Sequence, residues 1–133
     1  MVDRSRVASS SSFEETIGFS RAVRVAERVL VSGTAPIWPD GSCDPDPEVQ
    51  ARRCFQIIGA ALESLGATLD DVVRTRLYLT DAEALPAVAR AHRDVFSRAR
   101  PAATAVIVAG LLDPRWLVEV EAEAVLDGEP PTA

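Results

Sequence analysis

The sequence lacks long apolar runs and a secretion signal. None of its apolar stretches approaches the roughly 18 residues that a membrane-spanning helix needs. Its N-terminus, MVDRSRVASSSSF, has no apolar signal core. These two absences predict a cytoplasmic protein that does not enter a membrane. Lysine is missing as well, since every basic residue other than histidine is an arginine, which we interpret as coding bias rather than a functional signal.

Residues that hold metals and cofactors are scarce. The chain has 1 histidine and 2 cysteines. With the lone His92 and no close pair of cysteines, we predict no metal ion. No glycine-rich phosphate loop, nucleophile elbow or dinucleotide fingerprint occurs, so we predict no cofactor. In a reducing compartment Cys43 and Cys54 are expected to be free thiols, with Cys54 packed on a helix face.

Basic residues are fewer than acidic residues. The 14 basic residues face 20 acidic ones, and the formal net charge is −6. Such a chain repels polyanions unless its arginines cluster on one surface. The balance disfavours nucleic acid as a partner.

The composition is that of one globular domain. The chain has 133 residues, of which 47% are hydrophobic and 26% charged, which suits a single core. The serine run Ser9 to Ser12 lies near the start of the chain, and the proline-rich DGEPPTA ends it. We therefore expect mobile ends at 1–12 and 127–133 and a single domain over 13–126.

Changes in hydrophobic period separate strands from helices within this domain. The Asp46-Pro47 pair favours a helix start and Gly66 a helix stop. The run Thr104 to Ala109 is continuously apolar, which is typical of a central strand buried on both faces. We predict strands at 20–25, 28–33, 72–79, 104–109 and 116–126, and helices at 47–65 and from Asp81 to about Ala99.

This order, ββαβαββ, predicts an α+β domain with a mixed sheet. Strands joined through helices are expected to be parallel with right-handed crossovers, and the strand pairs at both ends are expected to form antiparallel hairpins. Both helices would then cover the same face of the sheet.

The other sheet face is expected to carry alternating charged residues. A partly buried contact between subunits would stabilise their cross-strand pairs, which predicts a homo-oligomer. A solvated polar face remains the alternative. The residues concerned are Arg74, Arg76, Tyr78, Glu119, Glu121 and Glu123.

The glutamates of the last strand are the only candidates for an acid or base. In a cleft, burial and neighbouring carboxylates would raise the pKa of such a group and suit it to handling a water proton. Ion pairing of the glutamates with arginines is an equally open interpretation. His92 lies at the edge of an apolar helix face, where a packing role is favoured over catalysis.

Four motifs, taken together and in order, resemble the Rid family of reactive intermediate deaminases, also called endoribonuclease L-PSP-like proteins. They are VLVSGTAP, VVRTRLYLTD, RPAATAVIVAGL and LVEVEAEAV, and the similarity covers about Phe19 to Leu126. The resemblance implies a chorismate-mutase-like fold and a homotrimer with ligand clefts between subunits.

In its deaminase members the family resemblance implies hydrolysis of enamines and imines, such as 2-aminoacrylate, without metal or cofactor. There an arginine directly after the Pro-Ala of the third motif, at the predicted fourth strand, holds the substrate carboxylate. Here that position is Ala103, and a methyl group cannot bind a carboxylate. The family's asparagine and cysteine fall at Ala89 and Ala105, which also depart from the pattern.

Other positions retain or change the family's site residues. Glu119 matches its water-positioning glutamate and Ser32 its strand-end serine, whereas Phe19 replaces a tyrosine. We therefore predict Glu119 as the catalytic residue. The predicted ligand-binding residues are Phe19, Ser32, Ala103, Thr104 and Arg76, with Arg76 either replacing the missing cation or pairing with the glutamates.

The functional hypothesis is a Rid-family protein that binds a small metabolite in clefts between subunits. If it is an enzyme, it hydrolyses or tautomerises an enamine or imine other than the usual 2-aminoacrylate. The alternative is a non-catalytic metabolite-binding or interaction protein. RNA cleavage, implied by the family's second name, is disfavoured by the acidic charge and the absence of a basic aromatic stripe.

Overall fold

Residues 3–127, which the computed structural model describes, contain a six-stranded sheet. Its strands are β1 (Arg4–Val7), β2 (Ala22–Val25), β3 (Arg28–Thr34), β4 (Val72–Leu79), β5 (Ala102–Ile107) and β6 (Val118–Val125). The α-helices are α1 (Phe13–Ile17), α2 (Pro47–Ser64) and α3 (Leu85–Val95). The predicted α+β fold is confirmed.

The strand order is β1-β2-β3-β6-β4-β5. The predicted hairpin of β2 and β3 is confirmed, and its turn places Ala26 at φ 53°. Strand β6 lies between β3 and β4 and is antiparallel to both, whereas β4 and β5 are parallel. The predicted hairpin-like pairing of the last two strands is wrong, because the chain returns to fill the centre of the sheet.

Helix α2 begins and ends at the predicted signals. The Asp46 carboxylate accepts hydrogen bonds from the amides of Glu48 and Val49 at 2.8 and 3.3 Å, which caps the first turn. Gly66 follows the helix at φ 83°, a conformation that glycine adopts without strain.

Helices α2 and α3 contact each other and cover one face of the sheet. The buried positions alternate along the central strands, with Leu77 and Leu79 on β4 and Val118 and Val120 on β6 facing the helices. The intervening positions, including the charged residues predicted for the second face, are half-buried in the single chain. The prediction of one helix-covered face is confirmed.

Strand β5 contradicts the prediction made for it. It begins two residues earlier than expected and all six of its residues are exposed, because it lies at the edge of the sheet and pairs with β4 alone. The interpretation of a central strand buried on both faces is wrong for this chain by itself. Continuous apolarity predicted burial, but it did not predict what would cover the strand.

The N-terminal segment also differs from the prediction of a mobile end at 1–12. Arg4–Val7 form β1, antiparallel to β2, and α1 begins at Phe13. Strand β1 lacks the apolar alternation of the other strands, so its sequence carries little signal. The predicted mobile tail at 127–133 lies outside the described residues except for Asp127.

His92 has the packing role favoured by the sequence. Its Nε2 lies 2.8 Å from the Thr75 hydroxyl, and its ring stacks at an angle on Phe55 and Phe96. Burial lowers the pKa of His92. Cys43 and Cys54 are free, as predicted.

Candidate functional site

A cavity of about 990 Å³ opens where β3 ends and β6 begins. Its walls come from the segment before and within α1, from the strand ends, from α2 and from the loops that flank the sheet. Among its lining residues are Phe19, Arg21, Ser32, Trp38, Trp116 and Glu119. Three residues predicted from the sequence, Phe19, Ser32 and Glu119, are thus brought together by the fold.

Gln50 holds the beginning of β6 in place. This buried side chain donates hydrogen bonds to the carbonyls of Asp44 and Arg115 at 2.7 and 3.0 Å. Its carbonyl oxygen accepts from the Leu117 amide at 2.8 Å. The loop that leads to Glu119 is therefore tied to helix α2.

Glu119 is a half-buried carboxylate on β6. Gly33 gives it room, since a Cβ atom at Gly33 would lie 2.9 Å from Glu119 Oε2. Burial raises the pKa of Glu119, Arg21 opposes this increase, and Glu121 adds to it. The carboxyl group is consequently easier to protonate than an exposed glutamate, which suits a group that exchanges protons.

Arg21 also lines the cavity, although no sequence motif indicated it as a site residue. Its Nη2 donates to the Ser32 carbonyl at 3.0 Å, the Ser32 hydroxyl at 2.6 Å and the Gly33 carbonyl at 2.6 Å. Burial lowers the pKa of Arg21, and Glu119 counteracts that effect. The available signal was its place in the first strand of a hairpin whose second strand carries Ser32.

The Ser32 hydroxyl has its hydrogen-bond partners within its own chain. It donates toward the carbonyls of Ser20 and Arg21, at 3.1 and 3.0 Å, and accepts a hydrogen bond from the Arg21 side chain. The geometry shows Ser32 orienting the arginine. Direct hydrogen bonding of Ser32 to a ligand stays a prediction.

Aromatic side chains form much of the apolar wall. Trp38 and Trp116 join the predicted Phe19, and the Arg53 guanidinium lies 4.1 Å from the centroid of the Trp38 ring, where a cation is attracted to the ring face. Trp38 lies in a loop without hydrophobic period. Trp116, predicted as the first residue of the last strand, lies in the loop before β6, so the sequence offered no pattern that placed either tryptophan at a site.

The other predicted site residues lie elsewhere in the chain. Ala103 and Thr104 are exposed on β5, outside the cavity lining. Arg76 lies on β4 with its Nη1 3.5 Å from Glu121 Oε1, so it pairs with the glutamate ladder. Tyr78 donates a hydrogen bond to the same glutamate, which raises the pKa of the tyrosine.

Residues 3–127 contain no group of three or more histidine, cysteine, aspartate or glutamate side chains placed to hold a metal ion. Burial raises the pKa of the Cys54 thiol, which keeps it protonated and poorly nucleophilic. In the same range no helix is long and apolar enough to span a membrane.

The sequence matches a family model and curated proteins. The family model described as Endoribonuclease L-PSP matches residues 9–126. An uncharacterized protein from Streptomyces coelicolor is 39% identical over 120 residues, which are 90% of either chain. A RutC family protein from Pyrococcus abyssi is 34% identical over 109 residues, covering 80% of this chain and 84% of its own.

Solved structures share the fold. A member of the YjgF/YER057c/UK114 family from Mycobacterium tuberculosis superposes with a TM-score of 0.86 at 40% identity, over 93% of this chain and 100% of its own. RidA from Psychrobacter superposes with a TM-score of 0.78 at 28% identity, over 91% of this chain and 94% of its own. The similarity extends over nearly the whole described fold.

Proposed function

Because the chain belongs to the Endoribonuclease L-PSP family, which includes Rid proteins such as RidA, we propose that its cavity binds a small metabolite and hydrolyses an imine or enamine. The observation that carries the proposal is the convergence of Glu119, Ser32 and Phe19 on one cavity. The site would work without a metal ion or cofactor, with Glu119 as its acid and base.

The reaction needs one group that can both accept and donate a proton. The Glu119 carboxylate takes a proton from water as the water oxygen bonds to the carbon of the protonated imine, giving a neutral carbinolamine. Protonated Glu119 returns the proton to nitrogen. As the carbon–nitrogen bond breaks, the Glu119 carboxylate takes the proton of the new hydroxyl group, and a carbonyl compound and ammonia leave. An enamine first gains a proton at carbon from protonated Glu119 and becomes the protonated imine.

A homotrimer would complete this site with strand β5 of a neighbouring copy. The support is the exposed apolar edge: β5 leaves its backbone groups on one side unpaired within the described fold, and such edges are normally covered. Ala103 and Thr104 would reach the cavity only from that neighbouring copy. Ala103 would bring a methyl group, so the site would lack the carboxylate-binding arginine of Rid deaminases.

The test measures hydrolysis of enzymatically generated 2-aminoacrylate and of imines made from larger amino acids. We expect weak activity on 2-aminoacrylate, an increase in Ala103→Arg, and loss of turnover in Glu119→Gln. Glu123→Gln is the matched control, because Glu123 lies on the same strand and pairs with Arg28 rather than lining the cavity. Unchanged turnover in Glu119→Gln would contradict the catalytic assignment.

The pH profile gives a second readout. Water activation needs ionised Glu119, whose pKa is raised by burial. The rate should therefore fall as the pH falls through this raised pKa, at a higher pH than for an exposed glutamate near 4.3. Any residual turnover in Glu119→Gln should lack that limb of the profile.

Non-catalytic metabolite binding is the second candidate, favoured by the alanine at position 103. It predicts saturable binding in the cavity with no turnover of any imine or enamine by the wild-type protein. Equilibrium binding measured beside turnover separates the two functions.

A further inference from the structure

We propose that Arg21 is the anion-binding residue of the cavity and that the ligand is a carboxylate carrying a bulky apolar group. The assignment rests on the proposed function in that it concerns the same cavity, and it names the class of ligand. Arg21 immediately precedes β2 and lines the cavity of its own chain, so this cation is present whatever position 103 contains.

The guanidinium of Arg21 is held entirely by neutral acceptors. Its three hydrogen bonds leave from Nη2 toward oxygens of Ser32 and Gly33. Within residues 3–127, Arg21 forms no ion pair shorter than 4.0 Å, although seven other ion pairs occur there. A half-buried cation that is rigidly held but not neutralised offers an anion a preorganised partner.

The buried donors that lack a hydrogen-bond partner in the described fold both belong to residues of this cavity. Two buried side-chain nitrogens in residues 3–127 lack a hydrogen-bond partner, Arg21 Nε and Trp116 Nε1. Both belong to residues that line the cavity, and both can only donate. Buried donors without acceptors are rare in folded proteins. A ligand with acceptor oxygens, reached by small side-chain adjustments, would satisfy them.

A carboxylate fits this environment better than a phosphate. A carboxylate oxygen can accept from Arg21 Nε, the buried donor that has no partner, whereas the greater charge of a phosphate would be repelled more strongly by Glu119 on the same wall. Glu119 interacts with Arg21 closely enough to affect its pKa. One negative charge is what this part of the cavity accommodates.

The remainder of the cavity calls for an apolar body. In the single chain its volume is about 990 Å³, near the upper end of ordinary ligand pockets, and a neighbouring β5 would occupy part of it in the proposed trimer. Phe19, Trp38, Ile57 and Trp116 line it. A branched or aromatic group would remove this apolar surface from water, whereas a compact acid such as pyruvate would leave most of it solvated.

Tryptophan fluorescence can measure occupancy directly, since the chain has 2 tryptophans and Trp38 and Trp116 both line the cavity. The probes are 4-methyl-2-oxopentanoate, its uncharged counterpart 4-methyl-2-pentanone, pyruvate and inorganic phosphate, titrated into the assembled wild-type protein. We expect saturable binding of the branched keto acid, at least about tenfold tighter than binding of the ketone, as one charged hydrogen bond implies. Pyruvate should bind more weakly because it lacks the branched apolar group, and phosphate because Glu119 repels its greater charge.

Arg21→Gln should weaken binding of 4-methyl-2-oxopentanoate at least about tenfold and leave binding of the ketone unchanged. Arg21→Lys, which keeps the charge, should retain part of the affinity. Arg24→Gln is the matched control, because Arg24 lies on the adjoining strand β2 and bonds the Ala26 and Leu65 carbonyls outside the cavity. Circular dichroism and the oligomeric mass confirm that each variant is folded.

Equal affinities for the keto acid and the ketone would overturn the proposal, as would equal losses in Arg21→Gln and Arg24→Gln. If Arg21→Gln does not fold, the wild-type protein must still bind the keto acid more tightly than the ketone, and Arg21→Lys must reduce that preference, or the assignment is wrong. Equilibrium binding requires no turnover. The affinities therefore test the role of Arg21 even if the protein does not hydrolyse imines.

Discussion

Strands β5 and β6 are separated by β4 in the same sheet, and their environments are opposite. Strand β5 is apolar apart from Thr104, yet all its residues are exposed. Strand β6 alternates glutamates with small apolar residues, and it is the central strand whose apolar positions are buried. Glu119 on β6 lines the cavity within one chain, whereas Ala103 on β5 does not.

The contrast separates burial by folding from burial by assembly. Glu121 and Glu123 of β6 face the open side of the sheet, where Arg76 and Arg28 pair with them, so their charges cost little stability. The apolar surface of β5 has no cover in the described fold, and an uncharged edge strand is prone to pair with another chain. We therefore expect β5 to be the strand that responds to assembly.

The largest expected effect comes from a charge on the exposed edge. Val106 is 40% exposed in the single chain, and Val106→Glu should convert the proposed trimer into monomers, because an unpaired carboxylate would be buried at the contact. Multi-angle light scattering measures the mass. Val49→Glu is the control, since Val49 is 39% exposed on α2. A wild-type monomer, or an unchanged mass in Val106→Glu, would refute burial of β5 by assembly.

Removing methyl groups from each strand tests the same contrast energetically. Val120 is fully buried in the single chain, so Val120→Ala should lower the free energy of unfolding by about 2 kcal/mol at any protein concentration.

Val106→Ala should instead lower the free energy of unfolding only at protein concentrations at which the chain assembles. In dilute monomer it should leave that free energy unchanged. Chemical denaturation over a range of protein concentrations distinguishes the two cases. A concentration-independent loss in Val106→Ala would mean that β5 is stabilised within its own chain.

A methyl group at Gly33 should disturb the cavity end of β6. Gly33→Ala places a Cβ 2.9 Å from Glu119 Oε2, so the carboxylate must move. We expect about 1 kcal/mol of destabilisation and a displaced acidic limb in the pH profile of turnover. At Gly110 the added Cβ would meet nothing within 4 Å, and Gly110→Ala should change neither quantity. If the acidic limb of the pH profile is unaltered in Gly33→Ala, ionisation of Glu119 is not its cause.

The smallest expected effect concerns His92 in α3, the helix that connects β4 to β5. Burial lowers its pKa below 6.5, so the unfolded chain binds a proton before the folded protein does. Stability should therefore decrease as the pH falls from 6.5 through the folded pKa. Thermal denaturation should show a smaller decrease in His92→Gln, which can still bond Thr75 but does not titrate. An unchanged pH dependence would exclude His92 as its source.

Periodic elements were predictable to within a few residues. Helix α2 follows the Asp46 cap and a recurring apolar face, and β4 has the predicted bounds because its alternation reflects one buried and one open face. Strand β1 and helix α1 were not predictable, since neither carries an apolar period and neither contains a buried residue.

The candidate site was predictable only in part. Motif similarity indicated Glu119, Ser32 and Phe19, which the cavity brings together. It did not indicate Arg21 or Trp116, whose importance comes from unpaired buried nitrogens, because the pairing of a donor depends on the surrounding fold. It also left the role of Arg76 open, and the contact with Glu121 shows an ion pair.

The sequence alone determined the α+β class, the face covered by helices and the family, because periodicity and motif order are properties of the chain itself. The tertiary structure decided that β6 rather than β5 lies at the centre of the sheet. It also decided that the cavity contains an arginine despite the alanine at position 103. Both depend on which strands become neighbours, since a side chain's partners are set by contacts between residues distant along the chain.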